Sequence, residues 1–166
     1  MTEYRNLTNK TPLDFFKEIS LIPRGSGNEK QIAEHIEKFA LDRGYFCVRD
    51  EAHNVFVRRN ASCGCDEKKA VMFQAHTDMV CEKTPESGHD FLKDPIKLII
   101  DGDIITADGT TLGADDGAGV AIMPRLPMLS SFNIRLIPFM DASMKQEVCI
   151  MRSNTHETLL IATMQC

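Results

Sequence analysis

Residues 69–76, Lys-Ala-Val-Met-Phe-Gln-Ala-His, form a nearly continuous apolar run of strand length, the pattern of a strand lying in the middle of a sheet and covered on both faces. Such a strand obliges the chain to build cover around it. The run ends in His76-Thr77-Asp78. If the backbone stays extended there, the His76 and Asp78 side chains point to the same side, because successive strand side chains alternate. At a strand end, side chains are held rigidly while still facing a cleft, as ligand-binding groups are in open α/β sheets. Two readings of this H-x-D follow. One is a strand running out into a solvated turn. The other is a metal-ligating imidazole whose orientation a neighbouring carboxylate fixes.

The flanking segments supply the cover. Thr11 reads as an N-cap with Pro12 at the first helical position, and Leu13, Phe15, Phe16 and Ile19 give that helix an apolar face until Pro23 and Gly25 end it. A second helix follows the Gly-Ser-Gly-Asn turn. Asn28 is its expected cap, Ile32, Ile36, Phe39 and Ala40 recur at helical spacing, and Gly44 stops it. His35 is an ordinary residue of this helix. From Tyr45 the period becomes that of strands: YFCVR, a polar turn holding His53, then VFVRR, together a hairpin. Residues 96–107, IKLIIDGDIITA, are a second hairpin, read as joined by a type I′ turn at Asp101-Gly102. Its aspartates do not make a calcium loop, because the sixth position counted from Asp101 is Thr106 where a glycine is needed. His89 reads as a loop residue.

Charge and cysteine usage narrow the function classes. With 166 residues and a formal net charge of −5 the chain makes one domain and has no basic stripe for a phosphate backbone, so no nucleic-acid partner is expected. The polar start MTEYRNLTNK has no apolar leader region, and no apolar run approaches the length that crosses a bilayer, so the expected location is cytoplasmic with no membrane partner. The six cysteines lack a compact disulfide framework and read as thiols. Cys63-Gly64-Cys65 lies in a polar turn with no second pair at zinc-finger spacing.

A second stretch carries chemistry. In DGTTLGADDGAGVA, residues 108–121, Asp115 and Asp116 stand immediately before what reads as the start of a close-packed helix. Two adjacent carboxylates in a tight glycine turn are costly unless solvated or neutralised by a cation. A phosphate loop is the weaker reading, since no Gly-Lys-Ser/Thr follows and the acids would repel phosphate. One imidazole from the first stretch and one carboxylate from the second are donors that suit zinc or manganese.

AHTDMV followed by HDFLKDPIKLIIDGDIITADGTTLGADDGAGVA resembles the aminoacyl-histidine dipeptidases, also called Xaa-His or cytosol non-specific dipeptidases, of the zinc-dependent aminoacylase, carboxypeptidase and dipeptidase superfamily. The resemblance covers about residues 8–122. It implies an α/β fold, a three-layer zinc-peptidase-like catalytic domain with a mixed sheet, incomplete and present as its N-terminal half only. It further implies two Zn2+ ions, with Mn2+ or Co2+ as alternatives. By the resemblance His76 would bind one metal, Asp115 would bridge two and be joined to Asp116 by a peptide bond usually cis in the superfamily, and Asp78 would stand behind His76 as a catalytic-site residue. Hydrolysis of Xaa-His and other dipeptides, short peptides as substrates, and a homodimer formed only by full-length members belong to the same implication.

The family also carries an adjacent Glu-Glu pair, the first as general base and the second as metal ligand. The nearest match is Lys145-Gln146-Glu147-Val148, in which Glu147 keeps the ligand role and Gln146 replaces the base. Glutamine cannot accept a proton at neutral pH. Residues 123–166 also change character, holding six of the nine methionines, no glycine and only seven charged residues, with Pro124 and Pro127 interrupting the expected helix. The chain therefore divides into 1–122, part of a metallopeptidase catalytic domain, and 123–166, a divergent tail, frameshifted or truncated. Two functions are compatible with this: a zinc-dependent dipeptidase or a truncated form of one, and a non-catalytic remnant that binds at most one metal ion weakly. His156 is not assigned as a ligand.

Overall fold

Thr11 opens the first helix by a reciprocal pair of bonds. Its hydroxyl accepts from Asp14 N, and the Asp14 carboxylate accepts from Thr11 N at 2.7 Å, so two otherwise unpaired N–H groups are satisfied. This computed structural model describes residues 10–60, 71–124 and the strand at 134–139, with side chains described for all but Val71 and that last strand. Helix α1, Pro12–Ser20, buries Phe15, Phe16, Ile19 and Ser20, whereas Leu13, expected on the apolar face, is 36% exposed. Helix α2, Lys30–Leu41, buries Ile32, Ala33 and Ala40. Its cap differs from expectation. Glu29 occupies the N-cap position without a side-chain bond to the helix, its carboxylate accepting instead from Gly27 N, and Asn28 closes a turn by donating its N–H to Gly25 O at 2.8 Å.

Strands β1, Phe46–Arg49, and β2, Val55–Arg58, form the expected antiparallel hairpin. Strand β3, Val71–His76, is the apolar run ending at His76. A hairpin of β4, Leu98–Asp101, and β5, Ile104–Ala107, makes a separate two-stranded sheet. Helix α3, Ala114–Ile122, and strand β6, Ile134–Phe139, complete the described elements. The main sheet has the order β1-β2-β6-β3. Strand β6 runs antiparallel to β2 and parallel to β3, so the sheet is mixed.

Two expectations are corrected. Among the described residues β3 lies at the sheet edge, not in its middle. The inner position goes to β6, from the segment read as a tail, and in β3 Gln74 is exposed while Ala75 is buried. The second hairpin turns one residue later than read. Asp101 pairs with Ile104, so the loop is Gly102-Asp103, and positive φ occurs only at Gly102, as a type II′ rather than a type I′ turn requires.

One core joins the helices to one face of the sheet. Phe15, Phe16 and Ile19 of α1, Ile32, Ala33 and Ala40 of α2, and Val120 and Ala121 of α3 pack with Val55, Val57 and Ala75. Ring contacts add direction, with Phe15 edge-on to Phe39 at 5.5 Å and the Arg43 guanidinium 3.4 Å from the Phe39 ring centre. On the opposite sheet face Phe46 and Val48 remain about half exposed, with Phe46 edge-on to Phe56. The described residues thus build two of the three expected layers.

Candidate functional site

The C-terminal end of β3 and the glycine turn before α3 meet. His76 Nδ1 lies 2.9 Å from Asp78 Oδ1, and His76 Nε2 lies 3.2 Å from Asp115 Oδ1. Asp78 and His76, paired by their spacing, and Asp115, assigned by the family resemblance, therefore form one line of contacts: Asp78, His76, Asp115. An imidazole that donates from Nδ1 to Asp78 presents a lone pair at Nε2. That lone pair then faces a carboxylate oxygen with no hydrogen between them. A cation held between the two atoms would relieve this opposition.

The donor set fits a metal on distance as well as type. Two ligands each about 2.0–2.1 Å from a tetrahedral zinc stand about 3.3 Å apart, and the observed separation is 3.2 Å. Among the described residues, however, no group of three or more His, Cys, Asp or Glu side chains gathers around a common point. Glu147 and Gln146 lie outside the described residues, as do Cys63, Cys65 and His156.

The two adjacent acids have different environments. Asp115 has an extended backbone, φ −92° and ψ 110°, which carries its side chain out of the helix start, where it is 99% exposed. Asp116, across a cis peptide bond from it, turns back and accepts from Gly119 N at 3.1 Å, acting as the cap of the helical turns that follow. Solvation accounts for one carboxylate and capping for the other.

Arg24 holds the two stretches together, and nothing in the sequence reading singled it out. It is only 2% exposed. One guanidinium nitrogen, Nη1, donates to Thr77 O at 2.9 Å and to Asp78 O at 3.3 Å. The other, Nη2, donates to Gly113 O at 2.6 Å. Burial pushes the Arg24 pKa down, and the Asp78 charge opposes that shift. Space for the guanidinium depends on glycine. A Cβ at Gly113, whose φ is +68°, would come within 2.7 Å of Arg24 Nη2, and one at Gly117 within 2.6 Å. The visible signal is that Arg24 is the only charged residue between Ser20 and Asn28. A further strap joins residues 80–84 to 109–111: the Thr111 hydroxyl donates to Val80 O at 2.6 Å, Thr111 N to Glu82 O at 2.8 Å and Thr84 N to Gly109 O at 2.9 Å.

The other histidines among the described residues stay apart from this line. His35 is in α2, His53 has φ +66° in the β1–β2 turn, and His89 packs its ring on Phe91 at 4.5 Å. No described helix is long and apolar enough to cross a membrane.

No family model matches the chain. The cytosol non-specific dipeptidase of Escherichia coli K12 is 43% identical over 121 residues, which cover 73% of this chain and 25% of that protein. The crystal structure of aminoacylhistidine dipeptidase from Vibrio alginolyticus matches with a TM-score of 0.74 and 37% identity, over 86% of this chain and 31% of that one. A tripeptidase from Staphylococcus aureus matches with a TM-score of 0.61 and 24% identity, over 76% of this chain and 35% of that one, and so shares the fold alone. The chain spans about a quarter of the length of the curated relative it matches.

Proposed function

We propose, from this kinship in sequence and fold to the aminoacylhistidine dipeptidases, that the chain carries part of the catalytic domain of a metal-dependent dipeptidase. Its substrates are short peptides, including dipeptides with a C-terminal histidine, and its setting is the cytosol. The observation that carries the reading is the Asp78–His76–Asp115 line, in which His76 Nε2 and a carboxylate oxygen face each other 3.2 Å apart. His76 Nε2 and an Asp115 oxygen would hold zinc, with Mn2+ or Co2+ as substitutes and a second ion beside Asp115 in the full-length site. Asp78 keeps the His76 ring turned and its tautomer fixed. Bound there, the ions would act as Lewis acids on the scissile amide carbonyl and on water. Proton transfer falls to the residue at 146, and glutamine is a poor acceptor, so turnover by the isolated chain is expected to be very slow.

A second reading, a non-catalytic remnant that binds at most one ion weakly, is favoured by the count of two converging donors among the described residues. Calorimetric titration of zinc into the chain and into H76A and D115N, with dipeptide hydrolysis followed on the same samples, separates the two. Binding of about two ions with even very slow turnover above the metal-free rate, lost in both variants, supports the dipeptidase. One weak ion without turnover supports the remnant, and binding indifferent to both substitutions removes His76 and Asp115 as ligands.

A further inference from the structure

Asp78 is 9% exposed, and each of its oxygens has a partner. Oδ1 meets His76 Nδ1, and Oδ2 accepts from the Ser26 hydroxyl at 2.5 Å. The carboxylate torsion of an aspartate is broad and roughly two-fold, so one contact alone leaves the group free to swing off the imidazole. Two opposed contacts fix it. Ser26 is itself fixed by backbone. Its N–H donates to Met79 O at 3.3 Å, Met79 N donates to Arg24 O at 3.0 Å, and Gly25 pairs with Met79 as an isolated parallel bridge. The residue before Gly25 is Arg24, whose guanidinium grips the Thr77 and Asp78 carbonyls on one side and the Gly113 carbonyl on the other. The segment 24–26 thus touches the Asp78 carboxylate and the backbone of both donor-bearing turns, but neither donor atom.

We propose that Ser26 is a positioning residue for metal binding, holding Asp78 against His76 from a loop that Arg24 pins to both donor-bearing turns. This rests on the reading of His76 and Asp115 as ligands. Ser26 is exposed and contributes nothing to the core, so its replacement separates positioning from folding.

The test uses the full chain and zinc alone, with affinity read by competition against a chromogenic chelator and thermal midpoints read without metal. Ser26→Ala is expected to weaken zinc binding about 10–100-fold, the range for partners that orient a ligating histidine, while Ser26→Thr, which keeps the hydroxyl, stays within about threefold of the parent. The metal-free midpoint stays unchanged in both. Parent-like affinity in Ser26→Ala, with His76→Ala having lost binding, overturns the positioning role and leaves the ligand reading standing. A loss of affinity matched by a lowered metal-free midpoint identifies a structural residue and also overturns it. Zinc binding that His76→Ala leaves intact overturns the ligand reading, and the positioning role with it.

Discussion

The two sides of the site are built differently. Asp78 is buried, bonded through both oxygens and backed by a buried arginine, whereas Asp115, one imidazole away, is 99% exposed. The first side is finished within this chain. The second presents a carboxylate to open solvent, held by a single contact with His76 among the described residues. Rigidity on one side and exposure on the other separate what folding requires here from what chemistry requires.

Replacing Arg24 puts the largest load on that contrast. Arg24→Met leaves three buried or half-buried carbonyls without their donor and Asp78 without its nearest cation, and is expected to cost roughly 3–5 kcal/mol by urea denaturation. A cost below about 1 kcal/mol would break the comparison, since the finished side would then hold without its brace.

The adjacent acids give a sharper pair. Asp116→Ala removes a helix cap and is expected to cost about 1 kcal/mol. Asp115→Asn, at a solvated position, is expected to change stability by less than about 0.5 kcal/mol while abolishing metal binding. Equal costs for the two would show that exposure does not distinguish them.

The smallest effect lies in the helical core. Burial holds the His35 imidazole below its ordinary value of 6.5, with Glu18 opposing and Lys10 and Lys38 adding to the shift. As pH falls through that value the unfolded chain takes up a proton that the folded chain resists, so stability is full above it and declines below. His35→Gln is expected to narrow the difference between urea midpoints at neutral and mildly acid pH.

Local chemistry was legible in the sequence, and long-range closure was not. The Thr11 cap, both hairpins and the approach of His76 to Asp78 depend on residues a few positions apart. Arg24 reaches 53, 54 and 89 residues along the chain for its partners, and Pro23 and Gly25 on either side of it read only as helix punctuation. The turn at Gly102-Asp103 was misplaced by one residue because Asp-Gly and Gly-Asp both satisfy two-residue loops, and only strand register decides between them. The apolar run of β3 suggested cover on both sides, but strand order is a property of the whole sheet.

That order sets a timetable. Strand β6 sits between β2 and β3 although it follows them by some sixty residues or more, so during synthesis the sheet has an unfilled slot until residue 139 has emerged from the ribosome. The β1–β2 hairpin and the α1 and α2 helices form early from neighbouring residues. The edge of β2 and the strand that carries His76 must wait, unpaired, for the one segment whose composition departs most from the rest of the chain.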